Sequence, residues 1–214
     1  MLAGSDSARL LETKKYLKRH FVTKNMRRPK CFLGIEVAHQ KHSVLLSQRK
    51  YALDLLEEAR LLECKPPTTP MNANVDLWFD DSHTLDDPGR YIRLIEKLIY
   101  LTVTRSDITF TVGVLSRFMH QLRETHWLTA IRVLPYIKSC LGKRLVYKKQ
   151  EHVRISGYLN SDYRDRGDRK STTRYCTFVG ENLVTWKSKR QDVVSRSSAK
   201  AEYRAMTHTT CEIV

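Results

Sequence analysis

The C-terminal third of the chain shows hydrophobic and polar residues in the pattern of β-strands. Residues 155–161 alternate between small or apolar side chains and polar or aromatic ones. Two β-branched and aromatic runs, 173–179 and 183–187, flank a glycine-containing loop, which is typical of a hairpin. Ser197 or Ser198 then precedes an apolar helical stripe, and serine is a favoured helix cap. The pattern predicts three strands followed by a helix.

The N-terminal part predicts a helix, a hairpin and a second helix. Asp6 or Ser7 is placed to cap the first helix, and alternating residues at 31–38 and 43–47 predict the hairpin. A helical stripe over residues 48–62 stops before a pair of prolines. The first helix places three apolar side chains on one face: Leu10, Leu17 and Phe21.

The middle of the chain predicts an irregular segment and then a helical layer. Residues 65–90 are rich in proline and acidic side chains and have little periodicity, which is typical of a linker or a long surface loop. Helical stripes follow over 91–102, 108–119 and 127–134. Pro135 falls where the third helix should continue, and an interior proline costs about 3 kcal/mol. We therefore expect that helix to kink or break there.

Charge points to a polyanionic partner. The 214 residues carry a net charge of +15, and 41% of them are hydrophobic, which is enough for a folded core. Residues 143–204 hold 16 Lys or Arg against 7 Asp or Glu, and this excess suits a phosphate backbone. One alternative is that these charges form an ordinary solvated surface. Trp186, which precedes the basic run, has the alternative of a place in the core. The predicted backbone contacts are Lys187, Lys189, Arg190, Arg169 and Lys170.

Other classes of function find no support in the sequence. The five cysteines have neither disulfide nor zinc-ligand spacing, which indicates a reducing environment. No apolar run is long enough to span a bilayer, and the N-terminus lacks the pattern of a signal peptide. We expect an intracellular protein, nuclear or cytoplasmic and not secreted, without a membrane partner. The motifs of dehydrogenases, NTPases, serine hydrolases and metalloproteases are absent, so no small-molecule substrate is expected.

Five sequence blocks carry a resemblance to a known family: FLGIEV, LSQRKYALDLL, LECKPPTTPM, KLIYLTVTRSDI and FMHQLRETHW. In this order they resemble the Pol polyprotein of plant copia-type retrotransposons, where reverse transcriptase ends and ribonuclease H begins. The resemblance implies an α+β fold with the last palm hairpin, thumb- or connection-like helices and a truncated ribonuclease H-like α/β sheet. The implied parts are a palm and thumb remnant at 1–64, a linker or loop at 65–90, a helical connection at 91–142 and the ribonuclease H-like domain at 143–214.

The resemblance also implies what the reverse transcriptase part lacks. In the family the polymerase carboxylates lie in a Tyr-Val-Asp-Asp hairpin and in an earlier strand, both N-terminal to the residues of this chain. We therefore expect no polymerase metal site, because nucleotidyl transfer requires carboxylates to hold two metal ions. The hairpin around Phe32, Leu33 and Gly34 resembles the element that supports the primer strand. The alternative is a hairpin that only packs on its neighbours.

The ribonuclease H residues carry over only in part. The family's first strand reads Tyr-Thr-Asp-Ala-Asp-Trp-Ala-Gly, and its first aspartate bridges the metal ions. By this resemblance Asn160 stands at the bridging position, and Asp162 matches the second aspartate. A neutral amide cannot bridge two Mg²⁺ ions as a carboxylate does, so productive Mg²⁺ binding is not expected. Asp162 has the alternative interpretation of a polar residue at a strand end.

Glu202 is the best-preserved candidate. It matches the metal-binding glutamate of the family's Ser-Ser-Ala-Glu-Ala-Glu-Tyr block, whereas the neighbouring glutamate is replaced by Lys200. The family's other two aspartates would lie beyond Val214. Glu202 and Asp162 are thus the candidate catalytic and metal-binding residues, in a site predicted to be non-functional. A solvent-facing helix glutamate is the alternative for Glu202.

The combined interpretation is a remnant of reverse transcriptase and ribonuclease H, catalytically silent, with residual binding of an RNA/DNA hybrid or a single strand. One alternative is a Mg²⁺-dependent ribonuclease H completed by a partner chain. Another is a non-enzymatic protein that binds nucleic acid or a protein. We also expect the truncated sheet to have a free edge and an uncovered apolar face.

Overall fold

The protein folds as a mixture of helices and antiparallel sheets. The structure, a computed structural model, describes residues 6–22, 30–79, 81–165 and 167–214. The chain divides into two compact units, Met1–Lys30 and Cys31–Val214. The described residues form six α-helices, one short 3₁₀ helix and two antiparallel sheets, which confirms the predicted α+β class. Within the described ranges, no helix is both long enough and apolar enough to cross a membrane.

The first unit contains helix α1, Ser7–His20. It begins at Asp6, whose carboxylate Oδ1 accepts hydrogen bonds from the backbone N–H groups of Ala8 (3.0 Å) and Arg9 (3.1 Å). This confirms the predicted cap, because a side-chain acceptor satisfies N–H groups that have no partner within the helix. Of the three apolar side chains, Leu10 and Leu17 are half-buried and Phe21 is exposed.

The first sheet has the strand order β1, β2, β3, β4. The strands are β1 (Cys31–Phe32), β2 (Ile35–His39), β3 (Ser43–Ser47) and β4 (Leu145–Lys148), all paired antiparallel. The single strand expected at 31–38 is therefore wrong. The chain reverses at Leu33 and Gly34, whose φ angles of 48° and 72° suit a two-residue hairpin turn. Tyr100 Oη donates a hydrogen bond to the Leu33 carbonyl and holds that turn.

Strand β4 lies within the predicted ribonuclease H-like segment but pairs with β3. The first strand of that segment thus belongs to the N-terminal sheet. The side chain of Asn182 also bonds to β4, through both the N–H (2.7 Å) and the carbonyl (2.9 Å) of Lys148. The four-part division of the chain stays a prediction.

Helices α2 (Arg49–Glu58), α3 (Pro88–Leu101), α4 (Thr109–Leu115) and α5 (Glu124–Ser139) form the helical layer, with a 3₁₀ turn at Ser106–Ile108. Their apolar side chains make one core that includes fully buried Leu56, Ile95 and Leu98. Helix α2 ends earlier than residue 62, because Arg60 adopts a φ of 56° and Leu61 N–H bonds to the Leu56 carbonyl (2.8 Å). This is a Schellman ending without glycine.

Helix α5 continues through Pro135 as far as Ser139. The predicted break at Pro135 is therefore wrong, and the other possibility, a kink, stays a prediction. The neighbours of the proline, Val133, Leu134 and Ile137, are almost completely buried in the core. Because burying such side chains stabilises by about 1.5–3 kcal/mol each, packing outweighs the local cost of the proline.

The irregular segment 65–90 packs on the helical layer. Leu77 is buried, its carbonyl lies 3.0 Å from Nε2 of His126, and the ring of Trp78 lies 4.7 Å from that of Phe118. Asp87 caps α3 by accepting a hydrogen bond from Arg90 N–H (3.0 Å). Of the two predicted descriptions, a long loop therefore fits better than a free linker.

The second sheet and its helix follow the sequence prediction closely. The sheet contains β5 (Ile155–Asp162), β6 (Thr172–Val179) and β7 (Asn182–Arg190), in that order, and helix α6 spans Ser198–Ile213. Gly180 and Glu181 form the hairpin turn with φ angles of 52° and 66°. Ser197 caps α6 by accepting a hydrogen bond from Lys200 N–H (3.2 Å). The predicted strands, hairpin and helix cap are confirmed.

Helices pack on both faces of the second sheet. Helix α6 packs on one face, where a Cβ added at Gly157 would lie 3.0 Å from Ile213 Cδ1. On the other face, Trp186 Nε1 donates a hydrogen bond to the Thr102 carbonyl (3.1 Å), and the Ser188 carbonyl lies against Gly113 of α4. The expectation of an uncovered face is therefore wrong for β7, where the helical layer of the same chain packs, whereas Tyr158 of β5 on this face stays 66% exposed. Strand β5 is at the sheet edge, as expected.

Candidate functional site

The candidate residues Asn160 and Asp162 lie on the face of the second sheet that meets α4. Successive residues of a strand point to opposite faces, and Gly157 faces α6, so the even-numbered residues of β5 face the other way. Asn160 is paired with Arg174 of β6. The Arg174 guanidinium stacks over the ring of Phe110, 4.1 Å from its centroid, which places this face against α4.

Asp162 is paired with an arginine. Its Oδ2 accepts a charged hydrogen bond from Arg174 Nη2, and both side chains are partly exposed, at 46% and 36%. Burial lowers the pKa of Arg174, and the nearby charge of Arg117 lowers it further. The ordinary pKa of arginine lies so far above neutral that Arg174 stays charged at neutral pH. A permanent cation therefore binds the carboxylate oxygen of Asp162 that a metal ion would need as a ligand.

Glu202 lies on α6, on the other side of the sheet. The preceding residue, Ala201, is fully buried, and its carbonyl accepts a hydrogen bond from Gln191 Nε2 (2.8 Å). The Glu202 side chain itself is exposed. The structure thus brings Asn160 and Asp162 to one face and Glu202 to the helix on the opposite face.

These residues do not fit a pair of divalent ions. Bridging two ions requires carboxylates that converge on one point. Here the bridging position is the neutral Asn160, Asp162 is engaged by Arg174, and Glu202 extends from a different layer. In the part of the chain that the structure describes, no group of three or more His, Cys, Asp or Glu side chains is arranged to hold a metal ion.

The predicted basic residues divide between two surfaces. Arg190 forms an ion pair with Asp168, and its guanidinium lies 5.5 Å from the ring of Trp78. Arg169 and Lys170 lie in the loop between β5 and β6, the first exposed and the second half-buried. Burial lowers the pKa of Arg190, as expected for a cation used inside the fold.

Lys187 and Lys189 lie on the α6 side and are exposed. Lys187 is paired across the sheet with Tyr175, and Lys189 with Thr173. The Tyr175 hydroxyl donates a hydrogen bond to Glu212 of α6 (2.9 Å), so this face of β6 and β7 is the one that α6 covers. Burial and the Glu212 carboxylate raise the pKa of Tyr175 to about 12.

A row of Arg–Asp pairs lies on the α4 side of the second sheet, and one of them, Arg117–Asp165, joins the sheet to the helical layer. Sequence reasoning missed these pairs. Arg117, just after α4, donates hydrogen bonds to Asp165 Oδ2 (2.6 Å) and to Thr172 Oγ1 (2.8 Å). Burial lowers the pKa of Arg117, although Asp165 acts in the opposite direction. The alternating charges of the DYRDRGDRK stretch are the signal that could have indicated these pairs.

The β1–β2 hairpin, the candidate primer-strand element, presents an exposed tip. Leu33 is 74% exposed and Phe32 is 43% exposed, while Gly34 lies against the Tyr100 hydroxyl. The hairpin thus packs on α3 through its turn and leaves two apolar side chains in solvent. These positions fit either of the two interpretations of the hairpin.

Comparison with known proteins gives the family. A reverse transcriptase (RNA-dependent DNA polymerase) family model matches residues 1–73. The whole chain is 34% identical to the retrovirus-related Pol polyprotein from transposon RE2 of Arabidopsis thaliana, of which it spans 15%. It is 29% identical to the corresponding polyprotein from transposon TNT 1-94 of Nicotiana tabacum, of which it spans 17%. An uncharacterized mitochondrial protein of Arabidopsis thaliana is 33% identical over the whole chain, with 89% of its length covered.

The similarity is therefore full-length for this chain but covers only a small part of the long polyproteins. No solved structure matches. Three observations agree. These are the order of the sequence blocks, the reverse transcriptase match at residues 1–73, and the relatives that align with the whole of this chain. The chain belongs to the family of retrovirus-related Pol polyproteins of copia-type transposons.

Proposed function

We propose that this chain is a remnant of a retrotransposon reverse transcriptase and ribonuclease H that binds nucleic acid without catalysing either reaction. Reverse transcriptases act on nucleic acid with divalent metal ions, which makes the site chemistry the deciding question. In this proposal the second sheet and α6 are a ribonuclease H-like scaffold, and the first sheet with the helical layer is the palm and thumb remnant.

The ion pair between Asp162 and Arg174 is the single observation that carries the proposed loss of catalysis. By the resemblance to copia-type Pol polyproteins, Arg174 stands where the family has a glycine. Replacing glycine by arginine puts a fixed positive charge on the same face as Asn160 and Asp162, and like charges repel a Mg²⁺ ion. Restoring Asp at position 160 would still leave this charge in place.

The proposed nucleic-acid binding rests on the charge of the chain. The net charge is +15, and residues 143–204, which run from β4 through the second sheet into α6, carry 16 Lys or Arg against 7 Asp or Glu. Lys and Arg side chains release condensed counterions from a phosphate backbone, which favours binding of any sequence. This binding requires no metal ion and no catalytic carboxylate, so it survives the changes at positions 160 and 174.

A cleavage assay tests the proposed loss of catalysis. The purified chain is incubated with a labelled RNA/DNA hybrid and Mg²⁺ or Mn²⁺, beside the Glu202→Ala variant. We expect no cleavage above a protein-free control for either protein. Cleavage by the unmodified chain that Glu202→Ala abolishes would overturn the proposal and establish a ribonuclease H.

The competing function is a ribonuclease H that a partner chain completes. The observation that favours it is the free edge of β5, which has a neighbouring strand on one side only in the described sheet. The Asp162–Arg174 pair argues against it, because a partner strand would not remove the arginine. Adding Arg174→Gly to the cleavage assay separates the two, since only a completed site would gain activity from that change.

A further inference from the structure

We infer that nucleic acid is bound on the α6 side of the second sheet, by Lys187 and Lys189 of β7 together with Lys200 and Arg204 of α6. We call these four residues the basic face. The inference rests on the proposed nucleic-acid function and specifies its surface. It separates this surface from the α4 side, where the predicted contact Arg190 is engaged by Asp168.

The two lysines of β7 project on the side of the sheet where α6 packs. Their partners across the sheet are Tyr175 and Thr173. Tyr175 bonds to Glu212 of α6, and Thr173 Oγ1 accepts a hydrogen bond from Gln191, whose side chain also bonds to α6. Cross-strand partners share a face, so Lys187 and Lys189 lie beside α6 and are open to solvent.

Helix α6 contributes its charges on the flank nearest to β7. Its buried stripe, Ala201, Ala205 and Thr209, lies against the sheet. Ile213 contacts Gly157 of β5, the far edge strand, so the opposite flank of the helix faces β6 and β7. At 100° per residue, Arg204 lies half a turn around the helix from Ile213, and Lys200 is one turn before Arg204.

The charges of the basic face are unpaired, whereas those of the α4 side are neutralised. Within the described ranges, none of the four residues forms an ion pair with a carboxylate. Arg204 donates hydrogen bonds instead to the Val193 carbonyl (3.2 Å) and to Ser195 Oγ (3.0 Å). On the α4 side, each arginine faces an aspartate. These pairs are Arg117–Asp165, Arg174–Asp162 and Arg190–Asp168.

This contrast decides which surface meets a polyanion. A paired arginine must give up its aspartate before it contacts a phosphate, and the gain is then largely cancelled. An exposed, unpaired lysine displaces a condensed counterion directly. The ligand class that fits is therefore a nucleic-acid backbone, bound through phosphates and without base recognition.

The test compares two double substitutions that remove the same charge. Lys187→Gln with Lys189→Gln changes the basic face, and Arg49→Gln with Lys50→Gln changes exposed residues in the first turn of α2. Binding of a fluorescein-labelled RNA/DNA hybrid is measured by anisotropy over a series of KCl concentrations. We expect the first variant to bind more weakly and its slope of log Kd against log salt to fall by about 2, at about 0.9 per phosphate contact. The α2 variant should keep the slope of the unmodified chain.

Two results would overturn the inference, and they can be told apart. Equal slopes for the two double variants would place binding elsewhere while the proposed nucleic-acid function stands. No binding by the unmodified chain at low salt would remove the proposed function and the basic face together. Lys200→Gln alone should lower the slope by about 1, and thermal unfolding monitored by circular dichroism checks that each variant is folded.

Discussion

Arg117 offers the clearest test of how the second sheet is held to the helical layer. Its guanidinium bonds to Asp165 at 2.6 Å and to Thr172 at 2.8 Å, so one side chain contacts both the β5–β6 loop and the start of β6. Replacing Arg117 by Met keeps most of the side-chain volume and removes the charge. Asp165 then loses the cation that is hydrogen-bonded to it.

The expected loss follows from burial. The side chain of Arg117 is 9% exposed and that of Asp165 is 20% exposed, so both charges are largely desolvated. Breaking a buried pair by removing one partner costs about 3–5 kcal/mol. Because water still reaches one-fifth of Asp165, we expect the lower end for Arg117→Met, about 3 kcal/mol in the free energy of unfolding.

Urea denaturation followed by far-ultraviolet circular dichroism measures this loss, and two further proteins control it. Arg93→Met removes an exposed arginine whose partner, Asp87, lies 3.5 Å away; with side chains 65% and 61% exposed, the expected loss is below about 0.5 kcal/mol. The double variant Arg117→Met with Asp165→Asn should be more stable than Arg117→Met alone, since no unpaired charge remains. Equal stability of Arg117→Met and Arg93→Met would refute the reasoning.

Three further changes test other parts of the structure. Burial alone would raise the pKa of Asp107, but hydrogen bonds and the charge of Arg105 hold that pKa well below its ordinary value. The Asp107 carboxylate therefore stabilises the fold above about pH 4, and this contribution decreases as the pH falls further. Asp107→Asn should lower the free energy of unfolding by about 3 kcal/mol at pH 7 and should flatten the acid limb of a pH–stability curve. Pro135→Ala should raise the melting temperature, because the helix regains a hydrogen-bond donor where it already continues. Gly167→Ala should cost about 1–3 kcal/mol in urea unfolding, since the added Cβ would overlap the ring of Trp78, and unchanged stability would show that this contact is absent.

Local signals in the sequence predicted the second sheet and its helix well. Alternation predicted β5, β-branched and aromatic runs predicted β6 and β7, Gly180 marked the turn, and Ser197 marked the start of α6. Each of these signals acts within a few residues, so it can be recognised without knowledge of the fold. The cap of α1 at Asp6 was predictable for the same reason.

Contacts between residues far apart in the sequence could not be predicted from local sequence patterns. Strand β4 pairs with β3 across about a hundred residues of chain, and α4 covers a sheet face that the sequence left without a partner. Pro135 stays within a helix because of buried neighbours that only the folded core supplies. A local rule therefore failed where tertiary packing decided the outcome.

The candidate site was predictable by residue type and not by arrangement. The sequence showed that Asn160 replaces a carboxylate, and that change alone argued for a weak metal site. It gave no indication that Arg174 binds Asp162, or that Glu202 lies on the opposite side of the sheet. Strand pairing set the first, because Asn160 and Arg174 are direct partners, and the packing of α6 on the other face set the second.

A titration with Mn²⁺ tests the central claim most directly. Mn²⁺ broadens the amide signals of residues near its binding site in ¹⁵N-labelled protein, so Asn160, Asp162 and Glu202 can be followed individually. The Asp162–Arg174 pair predicts that these three signals do not broaden together as Mn²⁺ is added up to the millimolar range. Joint, saturable broadening of all three, lost in Glu202→Ala, would show that a metal site persists and would contradict the account.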